Sequence, residues 1–159
     1  VIAAIDKIKG NFYGVSFDVV GVTESDIAAF GICRPDWMRC HAFTTNEEFL
    51  KKIYRDNDVF VMPSFLETFG LVYVEAITQG CSCVCSEGQG VSGFFGGFSV
   101  IYDVDPYNIE SIATGIMRAS VERPQMLNSG GDLSIYLINN FHWDTIAKNY
   151  IRIFNKYQS

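Results

Sequence analysis

Asp58-Val59-Phe60-Val61-Met62-Pro63-Ser64-Phe65-Leu66-Glu67-Thr68-Phe69-Gly70-Leu71-Val72-Tyr73-Val74-Glu75-Ala76-Ile77-Thr78-Gln79-Gly80 is the stretch that decides the fold. Val59 to Met62 is apolar throughout and stopped by Pro63, which cannot donate to a ladder, so it reads as a buried strand. Gly70 to about Gln79 reads as a helix, ending at Gly80 in the left-handed C-cap position. The turn between them leaves a strand's carboxyl end and enters a helix. Amides of Phe69, Gly70 and Leu71 at such a helix start, with the positive end of the dipole, suit a phosphate or sugar oxygen, and Gly70 lets that ligand approach the backbone. Glu67 stands just before this anion site. Its carboxylate would repel a phosphate, so a neutral, hydroxyl-rich group beside the phosphate is its natural partner. Glu75 lies eight positions on, roughly 12 Å along a helix and within about 80° of the same face. Two carboxylates so placed can bracket one extended ligand. The structural alternative makes Glu67 a capping carboxylate and Glu75 a buried partner for a helix end.

Working outward, Val1 to Lys9 has isoleucines at near-helical spacing, and Val15 to Val20 is β-rich. A short helix is expected over Ser25–Gly31 and a short strand over Met38–Phe43. Thr45 with Glu48 forms a capping box for a helix running to about Asp56. Beyond Gly80, strands are expected at Cys81–Ser86 and Ser99–Tyr102. Helices follow at Pro106–Ser120 and Trp143–Tyr157, with a weaker pattern over Pro124–Asn139. Asp103-Val104-Asp105 resembles a metal-binding Asp-x-Asp, but Asp105-Pro106 is better explained as an N-cap followed by Pro at the first helical position. Strands that are apolar throughout and alternate with helices predict an α/β domain built on a doubly wound, Rossmann-like parallel sheet covered on both faces. Ligands are then expected at the carboxyl ends of the strands.

The chain of 159 residues is 48% apolar and carries 12 basic against 18 acidic side chains, a net charge of -6. That is one globular domain, 1–159, long enough to bury a core without disulfides or metal. The acidic balance, with no Lys/Arg cluster, argues against a nucleic-acid groove or an anionic-membrane patch. No apolar run approaches the roughly 18 residues of a spanning helix, and Asp6, Lys7 and Lys9 interrupt the stretch where a signal peptide would be apolar. Val1 in place of Met, followed at once by a helical pattern, is what a fragment of a longer polypeptide would show. Five cysteines, three alternating at Cys81, Cys83 and Cys85, lack metal-ligand spacing and read as buried reduced thiols, which points to a cytoplasmic location.

The segment Asp58 to Ser64, with Glu67-Thr68-Phe69-Gly70-Leu71, Glu75-Ala76 and Gly80, resembles the carboxy-terminal domain of the GT-B retaining glycosyltransferases, glycosyl transferases group 1, whose signature is two glutamates separated by seven residues. Phe43 to Phe49 with Tyr54, and Phe141 to Ala147 with Tyr150, extend the likeness to roughly Val15–Tyr157. The resemblance implies one half of a two-domain architecture in which Glu67 contacts the donor sugar, Glu75 binds the ribose, and the amides of Phe69, Gly70 and Leu71 hold sugar and diphosphate. Ala42 and Phe43 fall at the nucleotide by the same carry-over. The implied partner is a UDP-, GDP- or ADP-sugar, with no metal and no cofactor. The family's first strand, its Gly-Arg...Lys segment and its amino-terminal acceptor domain have no counterpart here. This chain alone is therefore expected to be inactive, and any peripheral membrane association would run through that other domain. His41 falls where the family commonly has glycine, and Cys81-Ser82-Cys83 replaces Leu-Pro-Val.

Two other readings are weighed. A non-catalytic binding or partner module would keep the fold without the chemistry. Gly88-Gln89-Gly90-Val91-Ser92-Gly93 is a literal G-x-G-x-x-G after a strand, with Glu110 at about the distance of a ribose-binding acid. A dinucleotide site requires a helix to begin inside those glycines, and Phe94-Phe95-Gly96-Gly97 does not favour one. His41 and His142 have no metal-like neighbours and are expected to be structural.

Overall fold

The computed structural model describes residues 1–128 and 130–157, and side chains outside 124–130. In chain order the elements are α1 (Ile2–Ile8), β1 (Phe17–Val20), α2 (Glu24–Ala29), β2 (Met38–His41), α3 (Glu47–Asp56), β3 (Val59–Val61), α4 (Leu71–Thr78), β4 (Ser82–Ser86), β5 (Ile101–Val104), α5 (Ile109–Asn128), α6 (Gly130–Phe141) and α7 (Trp143–Lys156). A short 3-10 turn at Lys9–Asn11 ends α1. No described helix is long and apolar enough to cross a membrane.

All strand pairings are parallel, which gives the expected doubly wound α/β architecture, in two hydrogen-bonded ladders: β1–β2, and β3–β4–β5. Phe17 is paired with Met38, Val59 with Ser82, and Cys83 with Ile101. β4, paired on both sides, is buried at all five residues, whereas no residue of β1 or β3 is fully buried. Alternation along β4 divides the core. Cys81, Cys83 and Cys85 face Tyr73, Ile77 and Leu133, while Val84 faces Ile5, Ile112 and Ile116 from α1 and α5. The five cysteines are free thiols; Cys81, Cys83 and Cys85 are buried as expected, but Cys33 is exposed and Cys40 half-buried, since neither lies in the central strand. Burial pushes Cys83 well above its ordinary pKa and Cys81 up to about 11.

Several local expectations shift. The capping box predicted at Thr45 and Glu48 does not form: Asn46 caps α3 by accepting the Phe49 amide at 3.1 Å, and Glu48 pairs instead with Lys51. A reciprocal capping box stands at Thr23 and Asp26, starting α2. Asp105 does not cap α5. Its carboxylate accepts the Tyr107 amide in a turn, and the Asn108 side chain accepts the amides of Glu110 and Ser111 at 2.9 and 3.3 Å, so the helix starts after Asn108 rather than at Pro106. β5 begins at Ile101, two residues later than expected, and β2 ends at His41, leaving Ala42 and Phe43 in the following loop. The weak pattern over Pro124–Asn139 divides between the end of α5 and α6.

Candidate functional site

The loop from Met62 to Gly70 carries the predicted anion site, and four hydrogen bonds fix its course. The Tyr73 hydroxyl donates to the Met62 carbonyl, and the Ser86 hydroxyl donates to the Ser64 carbonyl at 2.6 Å. From the opposite side the Glu67 amide donates to Gln89 Oε1 at 3.2 Å, and the Gly90 amide donates to the Glu67 carbonyl at 3.1 Å. Gly90 has φ +54, and a Cβ there would lie 2.8 Å from the Phe69 carbonyl oxygen and 2.9 Å from Glu67 Cγ. Gln89 and Gly90 therefore form a clamp pressed against the Glu67 loop. Sequence reading weighed the glycines of 88–93 as a dinucleotide site and decided against it. The structure gives turns through 87–97 where that site needs a helix, and ties Glu110 to Lys7.

At the helix start Gly70 is left-handed, with φ +78 and ψ 73, and a Cβ would meet the Tyr73 ring at 2.6 Å. No side chain caps α4, and among the described residues the amides of Phe69, Gly70 and Leu71 make no hydrogen bond. Both structural alternatives fail for the glutamates. Glu67 is not a cap; its carboxyl carbon lies 3.3 Å from the position a Gly70 Cβ would take. Glu75 is exposed on α4 rather than buried, and accepts a hydrogen bond from the Tyr54 hydroxyl at 3.4 Å. Burial of Tyr54, with the negative charge of Glu75 beside it, pushes that phenol far above its ordinary pKa, so Tyr54 is a donor.

Glu75 and Phe43 share one cavity of about 450 Å³, together with Gly21, Thr44, Tyr54, Met62 and Val72. Glu67, Phe69 and Gly70 lie in the adjoining loop and Leu71 at the first position of α4, none of them in its wall, and Ala42 is exposed beside Phe43 without lining it. The Phe69 ring turns away into an aromatic cluster with Phe94 and Phe141, at centroid separations of 5.3 and 5.9 Å, which leaves its backbone facing the helix start. Among the described residues no group of His, Cys, Asp and Glu could hold a metal ion. Asp103 accepts from the Cys85 thiol, and His142 stands at the N-cap of α7.

Sequence reading missed a polar cluster at the rim. Asp18, its side chain 3% exposed, accepts from Arg39 at 2.9 and 2.6 Å, from His41 Nε2 at 2.7 Å and from Asn57 at 3.1 Å. Burial disfavours its charge, but those three donors and the Arg39 charge override that and hold Asp18 at about 2. The His41 ring packs edge-on against Phe49, 5.5 Å between centroids. His41 thus contacts Asp18 and Phe49. Its partner Asp18 left no signal, being 23 residues away in sequence.

Fold and site together define a doubly wound parallel α/β domain with a cleft at its strand ends, an uncapped helix start and two flanking carboxylates. The sequence model of the family described as glycosyl transferases group 1 matches residues 38–129, and the chain belongs to that family. It is 32% identical over 117 residues to an uncharacterised glycosyltransferase of Methanocaldococcus jannaschii, an alignment covering 69% of this chain and 28% of that protein. It is 30% identical over 86 residues to the O-antigen chain mannosyltransferase B of Escherichia coli, covering 54% of the chain and 22% of the relative. Among solved structures, a UDP-forming α,α-trehalose-phosphate synthase of Burkholderia vietnamiensis superposes with a TM-score of 0.65 at 15% identity, over 99% of this chain and 41% of that one. This likeness shows the GT-B fold. The chain spans less than a third of the length of these curated relatives.

Proposed function

We propose that this domain binds the nucleotide-sugar donor of a retaining glycosyltransferase. The observation that carries the reading is the start of α4: three amides without partners and a left-handed Gly70, set between Glu67 and Glu75. Those amides offer directed N–H groups to the diphosphate and the glycosyl oxygens, aided by the helix dipole and without a metal or cofactor. Glu75 takes the ribose hydroxyls, with the Tyr54 hydroxyl fixing its second oxygen. Phe43, 80% exposed beside the same cavity, offers an apolar edge to the base, with Ala42 adjoining it. Glu67 takes hydroxyls of the sugar, its backbone held by Gln89 and Gly90. Leaving-group departure is assisted by the amides, and retention of configuration requires the acceptor hydroxyl to approach the donor with water excluded. The acceptor side belongs to polypeptide outside this chain, which by itself transfers no sugar. The buried, unpaired thiols of Cys81, Cys83 and Cys85 support a cytoplasmic setting.

The test is calorimetry of the complete polypeptide with UDP-, GDP- and ADP-sugars, repeated with Glu75→Gln and Glu67→Ala. Binding of one donor class is expected. Loss of charged hydrogen bonds worth about 1.5–3 kcal/mol each should weaken it at least tenfold in Glu75→Gln. Glu67→Ala should lower turnover more than affinity for the free nucleotide. No binding by any donor at millimolar concentration refutes the reading and favours a non-catalytic module.

A further inference from the structure

The glycine-rich segment that follows β4 reaches the site loop at two points, either side of Thr68. At the first, Gln89 and Gly90 hold the backbone of Glu67. A run of turns then carries the chain onward: the Ser92 amide donates to the Gln89 carbonyl and the Phe94 amide to the Val91 carbonyl, both at 3.0 Å. At the second, the Phe94 ring meets the Phe69 ring edge-on, with 5.3 Å between centroids and 87° between planes. Phe141, the last residue of α6, closes a triangle of rings, 5.9 Å from Phe69 and 5.5 Å from Phe94. Tyr136, earlier on α6, donates its hydroxyl to the Phe94 carbonyl at 2.8 Å and ties that backbone to the helix.

Burial separates Phe94 from the core beside it. Phe95 is 2% exposed and stacks on Phe141 with 16° between planes, whereas Phe94 is 41% exposed. A ring left that open adds less to the core than a buried one, and its directed edge-to-face contact is what it offers. The backbone of the site loop shows what that contact fixes. Among the described residues the amides of Phe69, Gly70 and Leu71 have no hydrogen-bond partner to set their directions, and Gly70 between them is left-handed, with no side chain to restrain it. The next backbone tie is the Tyr73 amide donating to the Gly70 carbonyl at 3.0 Å. Thr68 is exposed, so the side chain that anchors the stretch between the Glu67 clamp and α4 is the Phe69 ring.

We propose that Phe94 and Phe141 are positioning residues for the donor's diphosphate: their rings hold Phe69 and, through it, the directions of the three amides at the start of α4. The inference rests on the donor reading. Amides stabilise charge on a departing diphosphate to the extent that they already point at it, because reorganisation during the reaction consumes the gain. A displacement of about 1 Å at such a site can cost about a hundredfold in rate. A hydrogen bond within the protein would order each amide equally well, but it would use up the donor. Ring contacts through the Phe69 side chain order the same stretch and leave all three N–H groups for the ligand. One glycine-rich segment thus sets Glu67 through Gln89 and Gly90 and the amides through Phe94, with Tyr136 and Phe141 of α6 as its buttress.

The test uses the complete polypeptide with Phe94→Leu, Phe141→Leu and the conservative Phe94→Tyr. The control is Phe98→Leu, whose ring packs on Tyr136 at 5.3 Å and, among the described residues, forms no ring pair with Phe69. Backbone order parameters are read by NMR with isotope-labelled phenylalanine, glycine and leucine, and affinities are measured for the mono- and diphosphates of uridine, guanosine and adenosine. Phe94→Leu is expected to lower the order parameters of Phe69, Gly70 and Leu71 from about 0.85 to about 0.6 or less and to leave the buried Leu133 unchanged. For the nucleoside that binds, the diphosphate's advantage over the monophosphate should fall about tenfold while monophosphate affinity holds. Phe141→Leu should act in the same direction, and Phe94→Tyr and Phe98→Leu should keep the parent's values. Unchanged order parameters in both leucine variants, amides equally mobile in the parent, equal losses for both phosphates, or the same loss in Phe98→Leu overturns the proposal. Should Phe94→Leu fail to fold, Phe141→Leu carries the same readings, and failure of both to fold makes the rings part of the core and overturns it too. A parent that binds no nucleotide refutes the donor reading, and the order parameters then decide whether the rings position the amides.

Discussion

The β3–β4–β5 half of the sheet and the β1–β2 half are held by different forces. In the first, apolar side chains close-pack on both faces: Tyr73, Ala76, Cys83, Val84, Val104 and Ala119 are almost wholly buried. In the second, Met38 is the one strand residue buried, and a carboxylate with three donors joins β1, β2 and the segment before β3. The site loops hang mainly from the packed half, through Tyr73, Ser86, Gln89 and Gly90. The domain thus places its rigid core under the glutamates and leaves the polar half to frame Phe43. Packing and polar networks fail differently, and substitutions in the two halves separate them.

The largest effect is expected where packing is tightest. Gly115 lies on α5 over β4 and β5, and a Cβ there would stand 2.4 Å from Val104 Cγ1 and 3.3 Å from Val84 Cγ1. In an exposed helix, replacing glycine by alanine stabilises by about 1 kcal/mol. Here the added atoms have to displace buried strand residues, so Gly115→Val should cost about 3 kcal/mol or more in urea unfolding. A loss under about 1 kcal/mol would show that α5 can lift away, and the contrast between the halves would collapse.

An intermediate effect is expected at Asp18. Asp18→Ala removes the shared acceptor of Arg39, His41 and Asn57 and should cost about 2 kcal/mol, since a group held at about 2 against an ordinary value near 3.9 contributes roughly that much at neutral pH. The sign follows from the lowered value: the native state binds fewer protons than the unfolded one, so the contribution is complete above about pH 4 and disappears as pH falls toward 2. Unfolding measured across that window should show a steeper loss in the parent than in Asp18→Ala. Parallel curves would assign the polar half some other source of cohesion.

The difference between the halves also explains what was legible beforehand. The strand at Val59, the helix over Gly70–Gln79, Gly80 as its stop and the two glutamates all lie within one stretch of chain, where periodicity and turn chemistry act locally. Gly80 indeed has φ +96. Caps were misplaced by one to three residues, at Asn46 and Asn108, because neighbouring polar side chains compete for the same amides and only the final geometry selects one. Asp18 with His41, and Gln89 with Glu67, join residues more than twenty apart, and no local pattern announces such a pair.

The smallest effect, and the sharpest probe of how the site hangs from the packed half, is expected at Gln89. Its Oε1 accepts the Glu67 amide at 3.2 Å, while the reciprocal bond from the Gly90 amide to the Glu67 carbonyl is made by backbone alone. Gln89→Leu removes the first and leaves the second, together with the anchors at Tyr73 and Ser86. A single net hydrogen bond is worth about 1 kcal/mol, which at the Glu67 amide corresponds to exchange roughly fivefold faster. Because the loop lies outside the close-packed layer, global stability in urea should change by less than about 0.5 kcal/mol, and exchange at Ala76 and Ile77 within α4 should be unaltered. Local and global losses of equal size would show that the Glu67 loop unfolds only with the core, making it part of the packed half rather than an element suspended from it. An unaltered Glu67 exchange rate would instead leave the backbone pair at Gly90 as the whole of the clamp.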